Sequence, residues 1–148
     1  MTPKQRMLNA YRGVFSDVVP VAPEFWYYYP AKLLGVDMIT FQREVPFHKA
    51  LLTTFGQFAC EGWGLAFGGH SRPGVETAAT DRWIDRDTLE VATRIRTPKG
   101  ELTGKTRYER HEPSWSMERP IKDPVRDLPA YEAATIGDDT VFDFNQAV

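Results

Sequence analysis

The chain has a single cysteine, Cys60, so no disulfide can close within it. Histidine is almost as scarce: His48, His70 and His111 stand far apart, without cysteine neighbours at zinc-ligand spacing, and no metal site is expected from the chain's own motifs. No stretch approaches the roughly 18 apolar residues of a membrane span. The N-terminus, MTPKQRMLNAYRG, carries cations without an apolar segment behind them, so neither a membrane anchor nor a secretory leader is expected and the chain is placed in the cytoplasm. Charge of one sign is lacking as well. The formal net charge is −2, with Lys and Arg interspersed among Asp and Glu, which leaves no basic stripe to neutralise a nucleic-acid backbone. There is no internal repeat and no low-complexity segment.

What is present is globular: 42% hydrophobic, 13% aromatic and 26% charged residues over 148 positions, the size of one domain. Thr2 suits an N-cap, Pro3 the first helical position and Gly13 a helix end, predicting a short amphipathic helix with Met7, Leu8 and Tyr11 on one side. Val18 to Ala22, apolar and punctuated by Pro20 and Pro23, reads as an extended buried strand. A dense aromatic cluster follows, Glu24-Phe25-Trp26-Tyr27-Tyr28-Tyr29-Pro30. A short helix over Val36 to Arg43 and a longer one from Pro46 to Cys60, with Leu51, Phe55, Phe58 and Ala59 on one face and Gly62 as its stop, come next. Trp63 to Phe67 reads as a second buried strand, running into Gly68-Gly69-His70. Strand, helix, strand in this order implies a parallel pair.

Beyond Thr80 the pattern becomes antiparallel. Arg82 to Arg96 and Glu101 to Arg110 flank Pro98-Lys99-Gly100, a hairpin turn, with Ile95, Leu102, Thr106 and Tyr108 on one face and Arg94, Arg96, Lys105 and Arg107 on the other. Ser114 to Ile121 is extended, Asp123-Pro124 caps a helix bearing Val125, Leu128 and Tyr131, and the acidic tail from Asp138 is expected to fray.

TPKQRMLNAYRG followed by VPVAPEFW, and then RIRTPKGELTGKTRYERHEPSWSMERPIKDPVRDLPAY, resemble the opening of uroporphyrinogen-decarboxylase-like enzymes, closer to the branch of cobalamin-dependent methyltransferases than to true uroporphyrinogen decarboxylases. The resemblance implies an α/β fold: the N-terminal part of a (β/α)8 TIM barrel, with two parallel strands and their helices over 1–79, a β-hairpin excursion over 80–121, and a helix and tail over 122–148. Such a barrel needs about 250 residues, so only its first two strands fall within this chain. An open edge of this kind is expected to associate with a complementary barrel fragment or with itself.

The resemblance also directs attention to the C-terminal ends of the two strands, where barrel enzymes build their sites. Glu24 there can accept a hydrogen bond from a substrate or act as a base, Tyr27 and Tyr28 offer hydroxyls beside an aromatic wall, His70 can donate or accept near neutral pH, and Arg72 can neutralise a carboxylate. These five are the candidate binding residues for a small-molecule substrate. Zinc and a corrinoid are implied only for a complete methyltransferase-type enzyme, whose His and Cys ligands lie in the later half of the barrel. The arginine-rich phrase with which true decarboxylases grip a tetrapyrrole is replaced by Trp26 to Lys32, and the aspartate of their second strand by Gly68-Gly69-His70, which disfavours porphyrinogen decarboxylation. A non-enzymatic α+β partner-binding module is the remaining alternative.

Overall fold

A computed structural model describes residues 1–16, 18–23, 25–61, 69–136 and 141–143. It is a mixed α/β structure whose chain divides into two compact units, Met1–Leu65 and Ala66–Val148.

The first unit contains α1 (Pro3–Tyr11), α2 (Tyr28–Leu34), α3 (Met38–Glu44) and α4 (Phe47–Phe58). Thr2 caps α1 as its sequence demands, the hydroxyl accepting from the Gln5 N–H, and Gly13 follows with φ of 67°. α2 was hidden in the aromatic run; it stops at Gly35, whose left-handed φ of 67° is the ordinary glycine helix end. α3 is capped by Asp37, whose carboxylate accepts from the Thr40 N–H. α4 ends earlier than Cys60, with Ala59 in the left-handed region at φ 48°, a conformation that costs a residue with a Cβ about 1 kcal/mol. The core is small: Ala31, Met38, Phe41 and Ala50, with Leu34, Val36 and Val45 packed against it. Above it Phe25 stacks on Phe58 (5.4 Å between centroids) and meets Tyr29 and Phe55, fastening the aromatic run to α4.

Two expectations for this unit are corrected. Val18 to Ala22 is not a buried strand: it has no regular secondary structure, and Val18, Val19 and Val21 are exposed, Val19 to 79%. Pro20 and Ala22 are half-buried, so among the described residues the run is covered only in part and its three valines are left outside. The partner expected for it in a parallel pair, Trp63 to Phe67, lies outside the described residues. Among the described residues every strand pairing is antiparallel.

The second unit holds β1 (Gly69–Ser71), β2 (Glu76–Trp83), β3 (Thr88–Thr97), β4 (Gly100–Glu109), β5 (Trp115–Glu118), α5 (Pro124–Thr135) and β6 (Val141–Asp143). β2 to β5 form a four-stranded meander in chain order, and β1 pairs with β6. The hairpin turn falls at Pro98-Lys99 as read, and the register sets Ile95 opposite Leu102, Val91 opposite Thr106 and Leu89 opposite Tyr108 on one face. α5 packs against β3 and β4, with Ala130 buried and 3.5 Å from where a Cβ on Gly100 would sit. Among the described residues Leu89 and Leu102 are the largest side chains that are fully buried.

Here too the sequence reading is corrected. The single strand expected from Arg82 is two strands, because Ile84 to Asp87 turn the chain: Asp85 accepts from the Asp87 N–H and Ile84 donates to the Thr88 carbonyl. The face of α5 that turns inward carries Asp127 and Ala130, while Val125 is 90% exposed and Leu128 and Tyr131 are also outside. The tail expected to fray instead contributes Val141–Asp143 to a pairing with β1.

Candidate functional site

Of the five residues singled out from sequence, Glu24 lies outside the described residues. Tyr27 and Tyr28 open α2 side by side and both are exposed. The backbone of His70 pairs with Phe142 in the β1–β6 ladder, and its imidazole is outside what is described. Arg72 follows β1 in the second unit, where its Nη1 donates to the Glu132 carbonyl at 3.1 Å. That carbonyl already accepts from the Ile136 N–H at 2.8 Å, so the cation adds a second donor to it at the last turn of α5 and complements the negative end of the helix dipole. Arg72 thus clamps a helix end. Beside it lies a cleft of about 410 Å³ walled by Pro73, Pro98 and Ile136, with Lys99 and Glu132 at its rim. The turn that shapes one wall needs Gly74, whose φ is 71° and whose missing Cβ would come within 3.1 Å of the Pro98 ring.

Sequence reasoning passed over the most constrained group of the first unit, Glu61. It is buried; its Oε1 pairs with Arg6 Nε, its Oε2 accepts from the Val21 N–H at 2.8 Å, and its own N–H donates to the Val21 carbonyl at 3.1 Å. The Val21 amide and then the Arg6 guanidinium hold the carboxyl below its ordinary range. Three segments distant in sequence therefore converge on one carboxylate. A glutamate closing an amphipathic helix and preceding an apolar run is the only signal the sequence offers for it.

The cations on the polar face of the meander, Arg94, Arg96, Lys105 and Arg107, are tied into cross-strand ion pairs. Glu90 accepts from Arg82 and Arg107, both at 2.6 Å, so one carboxylate in β3 bridges β2 and β4. Glu101 lies between Arg94 and Arg96 at 3.3 Å each. Glu118 lies between Lys105 (2.9 Å) and Lys122 (3.3 Å). Glu90 differs from the other two in burial: its side chain is 8% exposed, and hydrogen bonds from Arg107 and Arg82 bring its pKa down to about 2. The row ends at Trp115, which faces Arg107 across β4 and β5 and donates its indole N–H to the Met117 sulfur. Exposed pairs of this kind contribute about 0–1 kcal/mol each, so the face is a stapled sheet surface before it is anything else.

Asp127 completes the second unit's polar framework. It accepts from Arg126 and from the backbone N–H groups of Lys122 and Asp123, which hold its carboxyl well below the ordinary range. Among the described residues no group of three or more His, Cys, Asp or Glu is arranged to hold a metal ion. His48 and His111 are exposed and Cys60 is a free, partly buried thiol. No described helix is long and apolar enough to cross a membrane.

No family model, curated protein or solved structure matches the chain.

Proposed function

We propose that this chain is the N-terminal segment of a uroporphyrinogen-decarboxylase-like barrel enzyme of the zinc- and cobalamin-dependent methyltransferase type, inactive until the rest of the barrel is joined to it. The observation that carries this reading is the pair of bonds between Val21 and Glu61. Those two residues stand in and directly before the segments expected to be barrel strands one and two, and the bonds hold them alongside one another. The helix that precedes the first segment is anchored to the same carboxylate through Arg6. An apolar run left bare at Val18, Val19 and Val21 is also what an incomplete barrel leaves, since strands of a parallel barrel are covered on both faces.

Under this reading Glu24, Tyr27, Tyr28, His70 and Arg72 contribute to a small-molecule pocket only in the completed barrel. The described residues offer no ligand set for zinc. The metal and the corrinoid belong to the remainder of the enzyme, and no chemical step is assigned to this chain by itself.

Reading the coding DNA past the codon for Val148 tests the proposal. A continuation, or a neighbouring frame, that encodes further strand–helix units with a His-x-Cys phrase and a later Cys is the expected outcome. DNA without such a sequence, together with light scattering that finds a monodisperse monomer, would overturn it in favour of a self-contained partner-binding module.

A further inference from the structure

β2 is an outer strand of the meander, with β3 as its neighbour on one side and no described strand on the other. The register shows which of its backbone groups β3 uses. Ile84 donates to the Thr88 carbonyl at 3.0 Å, one step beyond the Trp83–Leu89 pair, so bonds are exchanged there and at every second pair after it: Arg82, Thr80, Ala78 and Glu76 bond to β3. The Arg110 N–H, donating to the Asp87 carbonyl, agrees, since it gives the alternate residues of β3 to β4. Thr77, Ala79 and Trp83 therefore turn their N–H and C=O groups to the outer side. All 8 residues of β2 are exposed, and the strand keeps its register throughout without Pro, Lys or a bulge, the devices that blunt a sheet edge. β5, the opposite edge, is short and carries a register shift.

We infer that β2 docks on β2 of a second copy of this chain, antiparallel about a two-fold axis at Ala79, which joins the two meanders into one sheet. Outward-turned residues must oppose one another, so Ala79 can meet only Thr77, Ala79, Asp81 or Trp83 of the copy. With Ala79 opposite Ala79, Glu76 meets Arg82, Thr77 meets Asp81 and Val75 meets Trp83, each twice by symmetry: acid against base, hydroxyl against carboxylate, apolar against apolar. Setting Ala79 against Asp81 puts Glu76 beside Ile84; against Trp83 it puts Asp81 beside Asp81; against Thr77 it leaves Arg82 facing Gly74. One register satisfies the charges. Glu76 and Arg82 bond their backbones to β3, so between copies they form the closer, non-hydrogen-bonded kind of pair. Arg82 is 70% exposed and gives one Nη to Glu90, leaving guanidinium N–H groups for a second carboxylate, and Glu76 enters no ion pair among the described residues. Trp83, 54% exposed, gains cover from Val75. The inference concerns the second unit alone and does not rest on the barrel reading.

The test uses the full chain. Sedimentation should show a concentration-dependent dimer. Glu76→Lys and Arg82→Glu should each weaken it about tenfold or more, because each sets like charges opposite one another twice. Mixing the two variants should restore dimers, since a mixed pair has Lys against Glu and Glu against Arg. Ala79→Pro removes an outward N–H that β3 does not use and should give a monomer with the unfolding transition unchanged. In a Cys60→Ser background, Ala79→Cys should form a disulfide-linked dimer under mild oxidation, the two Cα atoms lying about 5.5 Å apart, whereas Thr80→Cys, too distant from its copy, should not. Should A79P or R82E disturb folding, the cysteine pair still decides. A monomer at millimolar concentration, a dimer indifferent to E76K, no rescue on mixing folded variants, or crosslinking through Thr80→Cys in place of Ala79→Cys would each overturn the inference. The downstream DNA judges the barrel reading separately, so either can fail alone.

Discussion

Replacing Leu102 by alanine measures what holds the meander to its helix. Leu102 is 1% exposed in β4, across from Ile95 of β3 and on the face that receives α5. The substitution deletes an isopropyl group, about 2.4 kcal/mol at about 0.8 kcal/mol per buried carbon, and adds a cavity term because Leu89 and Ala130 cannot fully close on the gap. The sum is about 3 kcal/mol. For a unit of this size about 1 kcal/mol moves the melting temperature by roughly 4–8 °C, so the transition of the second unit should fall by about 12–24 °C. Differential scanning calorimetry reads this directly, and Val125→Ala serves as the control. Val125 lies in the same secondary-structure layer as Ala130 but is 90% exposed, and its loss should change stability by less than about 0.5 kcal/mol. A Leu102→Ala shift below about 5 °C, or a Val125→Ala shift of comparable size, would refute the assignment of core and surface on α5 and β4.

Glu90 is ionised with a pKa near 2 against an ordinary 4.5, so its contribution is complete above about pH 4.5 and disappears as pH falls toward 2; acid melts of Glu90→Gln should lose less stability over that window than those of the unmutated chain. Asp123→Ala removes the acceptor for the Val125 and Arg126 N–H groups and should cost about 1 kcal/mol by calorimetry, with faster amide exchange in the first turn of α5. Glu61→Gln keeps the side-chain shape but removes the charge that holds Arg6, so limited trypsin digestion should cut after Arg6 and Arg12 sooner than in the unmutated chain.

What the sequence made legible were features written in short-range chemistry. Thr2 with Pro3, and Asp123 with Pro124, are helix starts whose capping oxygens need only the next three residues. Pro98-Lys99-Gly100 is a turn because of its own dihedral preferences, and once it is placed the alternation of Ile95, Leu102, Thr106 and Tyr108 follows from the pleat. β2 escaped because an exposed edge strand of Glu, Thr, Ala and Asp has no apolar rhythm; the Asp85-Arg86-Asp87 turn after it was the better clue. Val18–Ala22 misled in the other direction, since an apolar run says what ought to be covered and not whether its cover is present. Of the candidate site, Arg72 has a partner at the end of α5 that the sequence did not point to, and Glu61 was missed because its importance lies in partners 40 and 55 residues away.

The meander runs β2, β3, β4, β5 in chain order, so each strand finds its neighbour immediately before or after it. Contacts of such short range close quickly, and they form on a nascent chain as soon as the hairpins emerge. The Val21–Glu61 junction has the opposite character, bridging 40 residues. During synthesis each hairpin of the sheet needs only the strand just before it, whereas the Val21–Glu61 pair must wait for 40 further residues to emerge before it can close.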